Sequence, residues 1–129
     1  MYVPPRYYRI MAEVDAEARN KEKKMNFEHR LYFGMTYDDG DIIEEAAFNR
    51  FVRDLVAPIL PEGWTLVKGE GQYKLRSGAI VREPCRVLIR WEEAENVTWP
   101  QEIATMYADM FDQECVAYTC HAIHLDFLS

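Results

Sequence analysis

The chain has 129 residues, 49% of them hydrophobic and 29% charged, which excludes a disordered or fibrous polymer and sets the expectation of a single main domain. Its net charge of −7, from 22 acids against 15 bases, repels phosphate backbones, so a nucleic-acid partner is not expected. No apolar run approaches the ~20 residues a membrane span needs, and residues 1–10 carry Arg6 and Arg9 without an apolar export core. Cytoplasm is the expected location, with no membrane partner.

The charge is unevenly placed. Residues 1–28 hold six Lys/Arg and five Asp/Glu, a net of +1, which leaves −8 for the remainder. Residues 2–8 read as an extended Pro- and Tyr-rich arm, and residues 11–25 as a helix dense in charge with few, small apolar positions. The boundaries expected are therefore an N-terminal arm and polar helix over 1–26 and a compact domain over 27–129.

Within that domain, residues 29–37 predict a strand with Leu31, Phe33 and Met35 on one face. Asp38-Asp39-Gly40 predicts a turn, after which Asp41 and Glu44 have the spacing of a capping box. Phe48, Phe51, Val52, Leu55 and Val56 recur at helical spacing until Pro58 and Pro61. Residues 64–67 predict a second strand, with a bulge or bend at Gly69-Glu70-Gly71 before it resumes over 72–75. Arg76-Ser77-Gly78 predicts a turn and residues 80–91 a third strand. Arg86, Leu88 and Arg90 are expected on its outer face, opposite Val87 and Ile89. Thr98 is a candidate cap, with Pro100 in the first turn and Gln101 three residues on. Ile103, Ala104, Tyr107, Met110 and Phe111 form the apolar face of the second helix. Residues 115–128 predict a long last strand, with Val116, Tyr118 and Cys120 also outward.

Strand, helix, strand, strand, helix, strand is the split βαβ order of a ferredoxin-like α+β fold, with two helices on one face of an antiparallel sheet. The other sheet face then needs cover, which makes a homo-oligomer, cyclic trimer or dimer, the expected state.

Cys85, Cys115 and Cys120 are expected reduced and mostly buried. His121 falls on the opposite strand face from Cys120 and His124. Two donors on a face are fewer than the four that structural zinc takes, so neither metal nor cofactor is expected. His29 reads as structural. No phosphate-binding loop or nucleophile elbow is present, and no histidine has an evident Ser or Cys nucleophile to serve. The distinctive constellation is Gly71-Gln72-Tyr73 with Glu83-Pro84-Cys85 ten residues beyond it. On a hairpin, Tyr73 and Glu83 would lie on paired strands. An aromatic ring attracts a cation, and a carboxylate pairs with one or accepts hydrogen bonds from ribose hydroxyls. Glu114, where the second helix meets the last strand, is a further acid at a junction suited to an interface.

These motifs carry two resemblances. Leu31-Tyr32-Phe33-Gly34, the helix leading to Val56-x-Pro58, Gly71-Gln72-Tyr73 and Gly78-Ala79-Ile80-Val81-Arg82-Glu83-Pro84 resemble a bacterial and phage family of unassigned function over residues 30–90. Gly71-Gln72-Tyr73, Glu83 and Gln113-Glu114-Cys115-Val116 also resemble the phage S-adenosylmethionine lyases, once called hydrolases. The second resemblance implies PII-like trimers of ferredoxin-like subunits with the ligand at subunit interfaces. It implies Tyr73, Glu83 and Glu114 as catalytic residues, and Gln72, Tyr73 and Glu83 as substrate-binding ones. The substrate implied is S-adenosylmethionine, whose own carboxylate attacks its γ-carbon to give methylthioadenosine and homoserine lactone. Two alternatives stand beside this: a non-catalytic PII-like protein that senses or sequesters a nucleotide-type ligand, and a phage-encoded protein-interaction module.

Overall fold

A computed structural model describes residues 25–129; the arm and polar helix expected before them lie outside the described residues. The order is β1 (Asn26–Gly34), helix α1 (45–59), β2 (Thr65–Lys74), β3 (Ile80–Glu92), α2 (Trp99–Met110) and β4 (Ala117–Ile123). The four strands form one sheet in the order β2-β3-β1-β4, and every adjacent pair is antiparallel. This is the ferredoxin-like α+β fold. No helix among the described residues is long and apolar enough to cross a membrane.

Period-2 alternation in β1 sends Leu31 and Phe33 to the helix side, where both are fully buried. Leu88 of β3, opposite Leu31, joins them. α1 contributes Phe48, Phe51, Val52 and Val56, and α2 contributes Trp99, Ile103, Tyr107 and Phe111 just beyond its end. Phe33 lies at the middle of an aromatic cluster, its ring centroid 4.5 Å from Tyr107, 5.8 Å from Phe48 and 6.0 Å from Phe51. Fully burying side chains of this size contributes about 1.5–3 kcal/mol each from area alone. Met110, expected on this apolar face, is instead exposed.

α1 is composite. It is α-helical over Glu45–Phe51, π-helical over Val52–Val56 and α-helical again over Ala57–Ile59. Pro58 accounts for the wide turn: it has no N–H for the ladder, and its ring would meet the carbonyl four residues back. The Ala57 N–H reaches back to the Val52 carbonyl instead, and helical chain continues to Ile59.

Several local expectations differ from the structure. The capping box at Asp41 is not made, because residues 35–43 close a small hairpin. Thr36 bridges Ile42, and the Ile43 N–H bonds the Met35 carbonyl at 2.8 Å, so the helix starts only at Glu45. Thr98 precedes α2 without a side-chain cap, since Gln101 bonds Thr105. β1 begins earlier than expected and β4 is shorter. β2 runs unbroken through Gly69 and Gly71, which pair in register with Cys85 and Glu83, so there is no bulge.

The face assignment of β3 is reversed. Arg86, Leu88 and Arg90 point into the helix layer, not outward, and so does Tyr118 of β4. Arg86 reaches Glu45 at 2.7 Å and Arg90 reaches the Gly63 carbonyl at 2.8 Å, which lets long cationic side chains flank an apolar core. Fully buried His29 donates from Nε2 to the Ala94 carbonyl at 2.9 Å and accepts from the Tyr118 hydroxyl at 2.7 Å, a structural role as expected. Burial first, then Cys120, pushes that phenol up to about 12. Cys85 is buried, whereas Cys115 is exposed.

The Arg86 hydrogen bond is the main cause that holds the Glu45 carboxyl below its ordinary 4.5. A depressed folded-state value contributes stability that is present above the unfolded value and lost as pH falls through the folded one. Urea unfolding midpoints measured from neutral pH to about pH 3 should therefore fall less steeply for Glu45→Gln than for the wild type. Glu28 and Asp54, also depressed, keep some slope in the variant. Identical slopes would show that the Arg86–Glu45 contact carries no pH-dependent stability.

Candidate functional site

The helix-free face of the sheet carries the residues of interest. Gly71 lies opposite Glu83 and Tyr73 opposite Val81, so Tyr73 and Glu83 sit diagonally on one face. Gly34 at the end of β1 lies opposite Cys85, and Met35 continues the pairing through its N–H to the Pro84 carbonyl at 3.0 Å. Glu83 thus lies between two glycines, one on each neighbouring strand. A Cβ at Gly34 would sit 2.6 Å from Glu83 Oε1, and one at Gly71 would collide with the Tyr73 ring, which folds back across that glycine. The glycines are required by this close approach of side chains rather than by their backbone angles.

The carboxylate of Glu83 accepts a hydrogen bond from the Thr36 hydroxyl. No cation among the described residues forms an ion pair with it; Arg86, three residues on, bonds Glu45 on the opposite sheet face. Burial, then Cys85 and Glu83, raises the Tyr73 phenol above its ordinary range. Burial likewise raises the Cys85 thiol, against a smaller opposing effect of Arg86. Both groups are therefore neutral at physiological pH: Tyr73 is a hydrogen-bond donor and Cys85 is a thiol, not a thiolate nucleophile. The Tyr107 hydroxyl donates to the Gly34 carbonyl from beneath, and its phenol is raised chiefly by burial.

The other expected site residues lie elsewhere on the subunit. Gln72 pairs with Arg82 and, by alternation, occupies the face opposite Tyr73. Glu114 is exposed and lines a groove of about 470 Å³ between α2 and the start of β4, with Pro100, Ala104 and Tyr118. Gln113 turns the other way, donating from Nε2 to the Thr36 carbonyl and to the Phe111 carbonyl, both at 2.8 Å. It is placed there by the end of α2, where Asp112 takes a left-handed φ of 51° and the Gln113 N–H bonds the Ala108 carbonyl at 3.0 Å.

Thr36, Gly34 and Gln113 were not singled out from the sequence as parts of this site. Gly34 had a local signal, a glycine ending an aromatic strand. The Thr36 contact had none, since its partner is 47 residues away. Chemically, the face offers a half-buried carboxylate and a neutral phenol packed over two glycines, groups that suit a cationic or hydroxylated ligand. Among the described residues no three His, Cys, Asp or Glu side chains cluster as metal ligands.

Comparison with solved structures finds the same fold in two structures of phage SAM lyase. One, in complex with S-methyl-5′-thioadenosine, aligns with a TM-score of 0.56 and 16% identity, over 81% of this chain and 93% of that one. The other, in the apo state, aligns with a TM-score of 0.54 and 17% identity, over 81% and 94%. No curated protein matches the chain. A family profile described as "protein of unknown function (DUF3574)" matches residues 28–127, which includes the whole sheet-face site, and the chain belongs to that family.

Proposed function

We propose that this protein degrades S-adenosylmethionine to methylthioadenosine and homoserine lactone, on a site completed between subunits of a homotrimer built from residues 27–129. The observation that carries the reading is Glu83: a half-buried carboxylate without an ion-pair partner among the described residues, beside a neutral tyrosine on a glycine floor. The shared fold with phage SAM lyases supports the choice of substrate.

The reaction asks little of the protein chemically. A carboxylate oxygen of the substrate forms a bond to its own γ-carbon, and the γ-carbon–sulfur bond breaks with its electron pair going to sulfur. The sulfonium becomes a neutral thioether, the carboxylate becomes the lactone ester, and no proton moves. Charge is cancelled in this step, so surroundings drier than water favour it. The rest is positioning, which holds the tail folded for attack. In this reading Glu83 accepts the ribose hydroxyls, Tyr73 lies against the cationic part of the ligand, and Glu114 of a neighbouring copy closes the site. Exposed Val67, Tyr73 and Trp91 support a second copy as the cover of this face.

Incubation with S-adenosylmethionine and mass spectrometry of the products test the proposal. Methylthioadenosine with homoserine lactone is the expected product pair. Homoserine without transient lactone would make the reaction a hydrolysis, and intact substrate would remove the enzyme reading in favour of ligand sequestration.

A further inference from the structure

Thr36 is held at three points. Its own backbone bridges Ile42, its carbonyl accepts Gln113 Nε2 at 2.8 Å, and its hydroxyl donates to Glu83. The neighbouring Gly34 carbonyl is fixed in turn by the Tyr107 hydroxyl. Glu83 lies over Gly34, where the missing Cβ leaves room for its carboxylate, while the space above Gly71 is taken by the Tyr73 ring. The Thr36 hydroxyl is its one hydrogen-bond donor among the described residues.

From this arrangement we infer that Thr36 is a positioning residue for Glu83, which fixes the carboxylate in the orientation that meets the ligand. The Gln113 amide locks Thr36 to the end of α2, so the hydroxyl is aimed before any ligand arrives. Such preorganisation acts through Glu83 and needs no contact between Thr36 and the substrate. The inference rests on the lyase reading for its ligand but not for its geometry.

A double-mutant cycle tests it. Thr36→Val should lower kcat about tenfold with a smaller change in KM, as expected on losing a hydrogen bond to a charged group. Thr36→Ser, which keeps the hydroxyl, should stay within about twofold of the wild type. In a Glu83→Ala background, Thr36→Val should change the residual kcat by less than about twofold, because the group it acts through is gone. Equal losses from Thr36→Val in both backgrounds, or failure of serine to rescue, would overturn the inference. If the wild type neither turns over S-adenosylmethionine nor binds methylthioadenosine, the lyase reading fails by itself. The same cycle read by thermal unfolding then decides: non-additive midpoint shifts support the Thr36–Glu83 coupling, and additive shifts overturn it.

Discussion

Glu83→Gln should reduce conversion of S-adenosylmethionine by about 10²-fold or more, while far-UV circular dichroism and oligomer size stay unchanged. The substitution keeps the size of the side chain and can still accept from Thr36, but it removes the negative charge that Glu83 places over the glycines. A misplacement of about 1 Å in a reaction governed by positioning already costs on the order of 10²-fold, and here the group that holds the ligand loses its charge. Tyr73→Phe, which deletes one hydroxyl and leaves the ring, should cost less, about tenfold. Product formation measured by liquid chromatography would quantify both. Wild-type turnover in Glu83→Gln would remove the carboxylate from the site assignment.

Phe33→Ala should be the most destabilising single change in the core, by about 3–5 kcal/mol. The ring is fully buried and touches the aromatic side chains of both helices, so its loss opens a cavity that neither helix can fill without leaving the sheet. Against a total of about 5–15 kcal/mol for an ordinary domain, that is a large share. The urea midpoint should fall strongly at constant m-value. A loss under about 1 kcal/mol would mean that the core closes over the gap. Because Gly34 is the next residue in the chain and Tyr107 supports both, activity should fall with stability in this variant.

The sheet and its two helices were legible because their burial obeys simple periods. Leu31 and Phe33 alternate, Phe48, Phe51, Val52 and Val56 recur at helical spacing, and so do Ile103, Tyr107 and Phe111. The side of β3 that faces the core was not, since Arg86 and Arg90 around Leu88 have the local look of a solvated face. Their partners, Glu45, Glu62 and the Gly63 carbonyl, are distant in sequence, and only the tertiary fold shows that the guanidiniums have somewhere to go. The Asp41 cap failed for a similar reason: a local hydrogen-bond option lost to a bridge made by the Thr36 hairpin.

For the site, the common face of Tyr73 and Glu83 comes from alternation along a hairpin, and the sequence is enough to find it. The surroundings of that pair are not local. Thr36 reaches the carboxylate across 47 residues of chain and Gln113 reaches Thr36 across 77, and neither contact leaves a mark on spacing. The glycines did leave one, but in a strand a glycine pair has two physical readings, a kinked backbone or a crowded face. The unbroken register of β2 with β3 decides for the second.

The wide turn of α1 bears on how this chain tolerates insertions and deletions. A π turn accommodates one residue more than the regular ladder would. Deleting one residue between Val52 and Val56 would return the helix to the regular ladder and leave its C-terminal end at about the same rotation relative to Phe48 and Phe51. Leu60, buried just after the helix, would then keep its place in the core. Sequences of this family that lack a proline at position 58 have no such need for the extra residue, so proline and helix length should vary together among them. The wide turn is thus the place in α1 where chain length can change by one residue while both ends keep their faces on the core.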